Sequence, residues 1–311
     1  MLDGEKVKLS PLQTEVDLPK CIVCGGFLRP RFNGLVASET GELFSVYFCP
    51  RCLFGQTVPQ PSSLSVYYGE YQGGPSTDFC TKRRLRFVQS VVRHSDNEVL
   101  LDIGCGDGHF LKAASKRGWK VAGTDLNPQA AAAAGLEVSS SLSGVERLAP
   151  FRCITLWHSL EHLRNPRESL LELVRLLSPC GALIVAVPNA QGWQARLFGP
   201  NWIHLDVPRH LFHFGPSALK RLLGGAGLEV IRTWHHEFEY DVFGWSVSVI
   251  NSMRSRKFGP LTSRMEKLTP RTAMDLAILM AFSVMAIPPV VVGTLAGYGG
   301  TLVMAARKRQ P

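Results

Sequence analysis

The sequence predicts an α/β fold, with a mostly parallel sheet and a small cysteine-rich module in front of it. From residue 98 onward, short apolar runs alternate with helical stretches, an alternation typical of parallel strands joined by crossover helices. Before that point, four of the eight cysteines form two Cys-x-x-Cys pairs. The chain of 311 residues is long enough for one domain of average size and an accessory module.

Each element of this fold follows from a local pattern of apolar residues and breaks. The first sixty residues are punctuated by Pro and Gly and contain a β-like run at 43–48. Later strands are predicted at 99–103, 121–124, 153–156, 182–187, 228–233 and 301–306. Helices are predicted at 82–92, 111–117, 129–134, 168–177 and 217–223.

These elements divide the chain into five segments. We predict a ribbon-like module in residues 1–60, a linker and helical lead-in in 61–97, and the α/β core in 98–235. An apolar and basic insert follows in 236–298, before a last core strand and a basic tail in 299–311.

Composition favours a globular protein, because 45% of the residues are hydrophobic and 19% are charged. The formal charge of +9 suits nucleic acid, an anionic membrane surface or an acidic substrate. Basic residues gather at 254–271 and 307–309, on both sides of the most apolar stretch, which favours a membrane surface over nucleic acid. The N-terminus lacks a basic region followed by an apolar segment, so we expect a cytoplasmic protein whose cysteines bind metal rather than form disulfides.

The strongest chemical signal is a glycine-rich turn between the first core strand and the helix after it. Glycines at 104, 106 and 108 permit a tight turn and let a nucleotide approach the backbone. Asp125 closes the next strand, where its carboxylate can accept hydrogen bonds from both ribose hydroxyls. A lone glycine triad also occurs for packing reasons, but the two features together predict a nucleotide-cofactor site.

These motifs resemble those of the class I S-adenosylmethionine-dependent methyltransferases, in particular the branch that contains the ubiquinone-biosynthesis O-methyltransferases. The resemblance continues through the segments 156–163, 176–181 and 187–189 and covers roughly residues 98–235 and the last strand. The chain departs from the family at 139–143, where serines replace a common acidic residue, and at Arg152, where the family usually has Asp.

The resemblance implies a Rossmann-like seven-stranded sheet and S-adenosyl-L-methionine as the cofactor. Asp102 and the glycine turn would surround the methionine moiety, Asp125 would bind the ribose, and residues 156–158 would lie beside cofactor and acceptor. The implied cofactor-binding residues are Asp102, Gly104, Cys105, Gly106, Asp107, Gly108, Asp125, Leu126, Leu156, Trp157 and His158.

Histidines cluster after two of the core strands. His158, Glu161 and His162 follow the strand at 153–156, and His210 and His213 follow the strand at 182–187. Because ligands bind beyond the carboxyl ends of parallel strands, both segments should face the active site.

Three hypotheses account for this cluster. In the first, His210 or His213 acts as a general base on an acceptor hydroxyl, since imidazole titrates near neutral pH, and His158 is a further catalytic candidate. Alternatively, Glu161 and His162 bind a second metal, because they resemble the Glu-His pair of metal-dependent small-RNA methyltransferases, in which a downstream histidine completes the site. In the third, the cluster is structural and only orients the active-site loop.

The two Cys-x-x-Cys pairs are separated by a β-rich stretch, and four thiolates at this spacing suit tetrahedral zinc in a ribbon. An iron–sulfur cluster or a redox pair is the alternative. In one interpretation, zinc only stabilises a module that is too small to fold by itself. In the other, the ribbon also recognises the acceptor or a partner protein. The predicted zinc ligands are Cys21, Cys24, Cys49 and Cys52.

The insert is too long for a simple connection in a compact domain and is predicted to have a function of its own. Its aromatic segment at 237–245 suits the wall of an acceptor site. Residues 276–306 carry no charge, and Pro288 and Pro289 are expected to break this stretch into two short apolar arms. We expect a peripheral membrane contact, with a buried hairpin or an oligomer interface as the alternatives.

The sequence therefore predicts a methyltransferase that uses S-adenosylmethionine, with O-methylation of a lipid-linked, quinone-like or glycan acceptor as the expected reaction. One alternative is an inactive scaffold or binding protein that keeps the zinc ribbon and the methyltransferase fold. Another is an enzyme that acts on protein or RNA. Nucleic acid is not an expected partner, because the ribbon lacks a basic and aromatic stripe. The acceptor atom and the oligomeric state stay open.

Overall fold

The computed structural model describes residues 18–37, 39–68, 78–93, 97–253 and 270–309, with side chains from residue 276 onward in the last range. The basic cluster predicted at 254–271 therefore lies outside the described side chains. The strands are β1 (Arg29–Val36), β2 (Leu43–Phe48), β3 (Gly55–Val58), β4 (Val99–Ile103), β5 (Lys120–Thr124), β6 (Glu137–Ser139), β7 (Phe151–Trp157), β8 (Leu177–Pro188), β9 (Phe212–His213), β10 (Leu228–Trp234) and β11 (Thr301–Lys308). The helices are α1 (Ser65–Tyr68), α2 (Asp78–Val91), α3 (His109–Ser115), α4 (Gln129–Ala133), α5 (Pro166–Leu176), α6 (Trp193–Phe198), α7 (Pro216–Gly225), α8 (Phe238–Met253) and α9 (Pro270–Leu295).

A seven-stranded sheet forms the core, in the order β10-β11-β8-β7-β4-β5-β6. Strands β4 to β8 pair in parallel, whereas β11 runs antiparallel to both of its neighbours. This arrangement confirms the predicted Rossmann-like seven-stranded sheet. The predicted core strands are all present, and β6 is an additional strand that the sequence analysis did not identify.

Helices cover both faces of the sheet, which explains why its central strands are apolar at nearly every position. Alternate residues of one strand enter different layers: Leu100 packs with α2 and α3, and Leu101 packs with α5 and α7. In β8, Ile184 and Val185 divide between the two layers in the same way. The sheet is therefore buried on both sides, and its carboxyl edge is left for ligands.

A second, four-stranded sheet has the order β1-β2-β3-β9, and its last strand comes from the core. The backbone N–H of Thr57 donates to the carbonyl of Leu211 at 2.9 Å. The ring of Phe54 lies 5.5 Å from the rings of both Phe212 and Phe214. The ribbon module is thus joined to the core by strand pairing and by an aromatic cluster.

The insert forms two helices, α8 and α9, that pack on each other. The prediction that Pro288 and Pro289 divide the apolar stretch is wrong, because both lie inside the continuous helix α9. The fixed φ of proline is compatible with a helix, so the pair removes two N–H donors while the helical backbone continues through both residues. Within α9, Leu276–Leu295 is long and apolar enough to cross a membrane, with a mean hydropathy of 2.3, and only 22% of it is buried.

Candidate cofactor and acceptor site

The glycine turn joins β4 to α3 at the carboxyl edge of the sheet. Gly104, Gly106 and Gly108 all have positive φ, at 73°, 56° and 76°. A Cβ at Gly108 would lie 2.2 Å from Cδ1 of Leu136, and one at Gly104 would lie 2.4 Å from Oγ of Ser159. Conformation and space therefore both require glycine at these two positions.

Asp125 follows β5 and holds the turn in place. Its Oδ2 accepts a hydrogen bond from the backbone N–H of Gly106 at 2.8 Å, and its Oδ1 accepts one from Asn127 at 2.9 Å. Leu126 beside it is 74% exposed. The structure thus brings the predicted ribose-binding carboxylate against the glycine turn.

Asp102 lies at the buried side of the same turn. Its Oδ1 accepts a hydrogen bond of 2.6 Å from the hydroxyl of Thr155 on the neighbouring strand, and burial raises the pKa of Asp102 to about 7. Burial also raises the pKa of the Cys105 thiol, while Asp107 is turned outward and accepts a hydrogen bond from the N–H of His109 at 3.0 Å. The side chain of Asp102 is therefore held in place by a hydrogen bond from the neighbouring strand of the sheet.

His158 follows β7 directly and has a positive φ of 53°. Its Nε2 is 2.5 Å from Oε2 of Glu237, its Nδ1 is 3.7 Å from Oε1 of Glu161, and its ring stacks on Tyr240 at 4.4 Å. Burial opposes a charge here, but close contact with the carboxylates of Glu161 and Glu237 raises the pKa of His158 to about 9. The ring is consequently an imidazolium at neutral pH.

Two charged residues complete this network: Arg84, which the sequence analysis did not single out, and Glu237, which begins the segment predicted to line the acceptor site. The Nε of Arg84, on α2, donates to Oε1 of Glu237 at 2.8 Å, and its guanidinium lies over the rings of Trp157 and Tyr240. Burial opposes ionisation of Glu237, but Arg84 and His158 hold its pKa well below the usual range. The position of Arg84 on the apolar face of α2 could have indicated a buried charge. Its partner, Glu237, lies 153 residues away in the sequence and could not be identified from that pattern.

A second cluster brings together Glu161, His162 and His210. One ligand atom from each lies within 4.8 Å of the others. Nδ1 of His162 is 2.9 Å from the carbonyl of Arg209, and Nδ1 of His210 is 2.8 Å from the carbonyl of His204. Since a carbonyl only accepts, each Nδ1 carries the proton and Nε2 of the neutral ring does not.

The carboxylate in this cluster is deeply buried. Glu161 is 1% exposed, and neither of its oxygens has a hydrogen-bond partner within the ranges that the structure describes. Burial, with His162 nearby, holds the pKa of His210 well below its ordinary value, so His210 is neutral. The cluster thus brings one carboxylate and two imidazole rings to one point.

His213 lies on β9, where its side chain faces the ribbon. Its Nε2 is 3.1 Å from the hydroxyl of Thr57, and burial lowers its pKa to about 4. A Cβ at Gly55 on the paired strand would approach the His213 side chain to 2.8 Å. The structure therefore places His213 in the contact between ribbon and core.

The four ribbon cysteines converge as the spacing predicts. Sγ of Cys21 is 3.5 Å from that of Cys52, Sγ of Cys24 is 3.4 Å from that of Cys49, and all four sulfurs lie within 4.8 Å. Tetrahedral zinc with Zn–S bonds of about 2.3 Å separates sulfurs by roughly 3.8 Å. The donor set thus fits a zinc ion in size and chemistry.

Residues 76–233 match a family model described as a methyltransferase domain. The chain belongs to this methyltransferase family. The prediction of a methyltransferase that uses S-adenosylmethionine is thereby confirmed at the level of the family.

The methyltransferase is similar to curated proteins named ubiquinone biosynthesis O-methyltransferase. It is 30% identical to that of Azoarcus sp. over 42% of this chain and 64% of the relative, and 30% identical to that of Maricaulis maris over 42% and 59%. The chain thus spans less than two thirds of the length of these two relatives. Among solved structures it resembles a SAM-dependent methyltransferase from Archaeoglobus fulgidus, with 19% identity, coverage of 73% and 92%, and a TM-score of 0.44.

Proposed function

We propose that this methyltransferase transfers a methyl group from S-adenosylmethionine to a hydroxyl of a lipid-linked, quinone-like or glycan acceptor. The observation that carries the proposal is the glycine turn held by Asp125 at the carboxyl edge of the sheet. S-adenosylmethionine supplies an activated methyl group, so the protein has mainly to align the reactants and exclude water. Asp102, the glycine turn and Asp125 would bind the cofactor, with Trp157 and His158 between it and the acceptor.

Calorimetric titration with S-adenosylmethionine tests the cofactor site. Asp125→Ala should abolish binding, because it removes the ribose acceptor and the hydrogen bond to Gly106. Asp125→Asn is the matched control, since its amide oxygen can still hold the turn while the charge is lost; it should bind about tenfold or more weakly. Equal binding by all three proteins would contradict the proposed role of Asp125.

His210 is the best general-base candidate among the three predicted histidines. It is neutral, its Nε2 is unprotonated, and it lies in the segment after β8. His158 is already protonated at neutral pH and would instead donate a hydrogen bond or stabilise negative charge on the acceptor. His213 serves as the matched control, because it is equally buried but faces the ribbon.

A second candidate role is a divalent-metal site at Glu161, His162 and His210. Metal-bound histidines commonly donate the other ring N–H to a backbone carbonyl, as both histidines do here. A metal would also coordinate the buried oxygens of Glu161, which accept no hydrogen bond from the described residues and whose nearest charged neighbour among them is His158 at 3.7 Å.

The general-base role and the metal-binding role predict different effects of the same substitutions. If His210 is only a base, His162→Ala should keep turnover and His210→Ala should lose about a hundredfold or more. If the cluster binds metal, both variants should lose one bound metal per chain, as measured by elemental analysis. His213→Ala should behave like the wild type in both measurements, apart from lower stability.

We also propose that the four ribbon cysteines hold structural zinc. Elemental analysis should find one zinc per chain that Cys24→Ser weakens, and cobalt substitution should give the absorption of a tetrahedral thiolate site. Iron with sulfide, or no metal, would overturn this assignment. A protein that binds cofactor but turns over no lipid, quinone or sugar acceptor would favour the scaffold alternative.

A further inference from the structure

Helix α9 is apolar on the face that it leaves exposed as well as on the face that it buries. Its buried stripe contains Leu279, Ala286 and Val290, which are at most 8% exposed, and Ser283 on the same face contacts Ser246 of α8 at 3.2 Å. These positions recur at intervals of three, four and seven residues, as one face of a helix does. This face fixes α9 to α8.

The opposite face, here called the apolar stripe, points away from the protein. Its side chains are each more than a third exposed, and no charged residue interrupts them within Leu276–Leu295. The apolar stripe consists of Leu276, Met280, Val284, Met285, Ile287, Val291, Val292 and Leu295. A helix of a water-soluble protein carries polar residues on its outer face, so this stripe requires a partner.

Charge next to α9 identifies the kind of partner. The chain between residues 254 and 271, which leads into the helix, contains six basic residues and one acidic residue, Glu266, a formal net charge of +5. An apolar face beside a strongly basic segment matches the surface of an anionic bilayer, where the apolar side chains enter the acyl region and the basic residues meet the headgroups.

We infer that the apolar stripe of α9 lies in the plane of an anionic membrane surface and holds the protein there. Although α9 is long enough to span a bilayer, its buried stripe is packed on α8, so lipid can reach only one side of it. A helix that keeps one face on its own protein lies along the membrane rather than through it. The inference rests on this surface and is independent of methyl transfer.

Co-sedimentation of the full-length protein with vesicles tests the inference. Vesicles of phosphatidylcholine and phosphatidylglycerol should bind the protein at low salt at least tenfold more tightly than phosphatidylcholine alone. The double variant Val284→Asp and Val291→Asp should lose about tenfold in affinity for each position, because both side chains leave water on binding. The matched control is Val36→Asp, which changes a 53% exposed valine on the ribbon and should bind like the wild type.

Two further measurements determine how deeply α9 enters the membrane and whether the protein forms a dimer. A tryptophan placed by Val284→Trp should be quenched by brominated lipid, whereas one placed by Val36→Trp should not. The inference is overturned if the wild type stays in the supernatant, or if Val284→Asp with Val291→Asp binds as tightly as the wild type. It is also overturned if sedimentation velocity shows a dimer that this double variant converts to monomer while neither protein binds vesicles, since a second copy would then cover the stripe.

Discussion

Replacing Glu237 with glutamine tests the buried charge network beside the candidate acceptor site. The substitution keeps the shape of the side chain but removes the negative charge that both Arg84 and His158 contact. A folded pKa of about 9 against an ordinary value of 6.5 corresponds to about 3 kcal/mol of stability from charging His158. Loss of the pairing should therefore cost about 3 kcal/mol, and leaving Arg84 buried without its carboxylate can raise the cost toward about 5 kcal/mol.

The sign of the pH dependence follows from the raised pKa of His158. The folded state binds the proton more tightly than the unfolded state, so the stabilisation is fully present below pH 6.5 and is lost as the pH rises through about 9. Urea unfolding of the wild type at several pH values should show this loss, and Glu237→Gln should flatten it.

An exposed ion pair provides the control. Glu146→Gln breaks a contact with Arg175 in which both side chains are largely exposed, so it should change stability little at any pH. If Glu237→Gln unfolded at the same urea concentration as the wild type and kept the same dependence between pH 7 and pH 10, the electrostatic argument would be refuted.

Three other perturbations have definite expected results. Gly108→Ala should cost about 1–3 kcal/mol and abolish binding of S-adenosylmethionine by calorimetry, because alanine must adopt a positive φ and meets Leu136. Phe54→Ala should lower the free energy of unfolding by about 3–5 kcal/mol in urea titrations, since it empties the space between Phe212 and Phe214. Chelation of the proposed ribbon zinc should lower the melting temperature in calorimetry, and added zinc should restore it; an unchanged melting curve would contradict a structural metal.

Local patterns in the sequence predicted much of the core. The glycine turn and Asp125 were identified because each lies within a few residues of a strand end, where spacing alone indicates the chemistry. The run at 43–48 coincides with β2 for the same reason, since period-two patterning requires no distant partner. The roles assigned to the site residues, and the boundaries of the five segments, stay predictions.

Features that depend on distant partners were not predicted. Arg84 and Glu237 are 153 residues apart, and neither position alone indicates that the other neutralises it. Strand β9 has only two residues, which is too short for a periodic pattern, and it forms by pairing with the ribbon. The helix through Pro288 and Pro289 likewise depends on packing against α8, which outweighs the local preference for a break.

The pairing of β3 with β9 gives the ribbon a part in the candidate active site. The hydroxyl of Thr57 donates to the carbonyl of His210 at 2.6 Å, and the N–H of Leu211 donates to the carbonyl of Glu161 at 2.9 Å. The segment that carries His210 is thus held between the ribbon on one side and the loop after β7 on the other. The carbonyl of Cys52 also accepts a hydrogen bond from the hydroxyl of Ser217 on α7. The ribbon is therefore bonded to the core at Ser217 as well as at His210. If the ribbon holds the proposed zinc, its loss should therefore disturb the geometry at His210 as well as the stability of the ribbon.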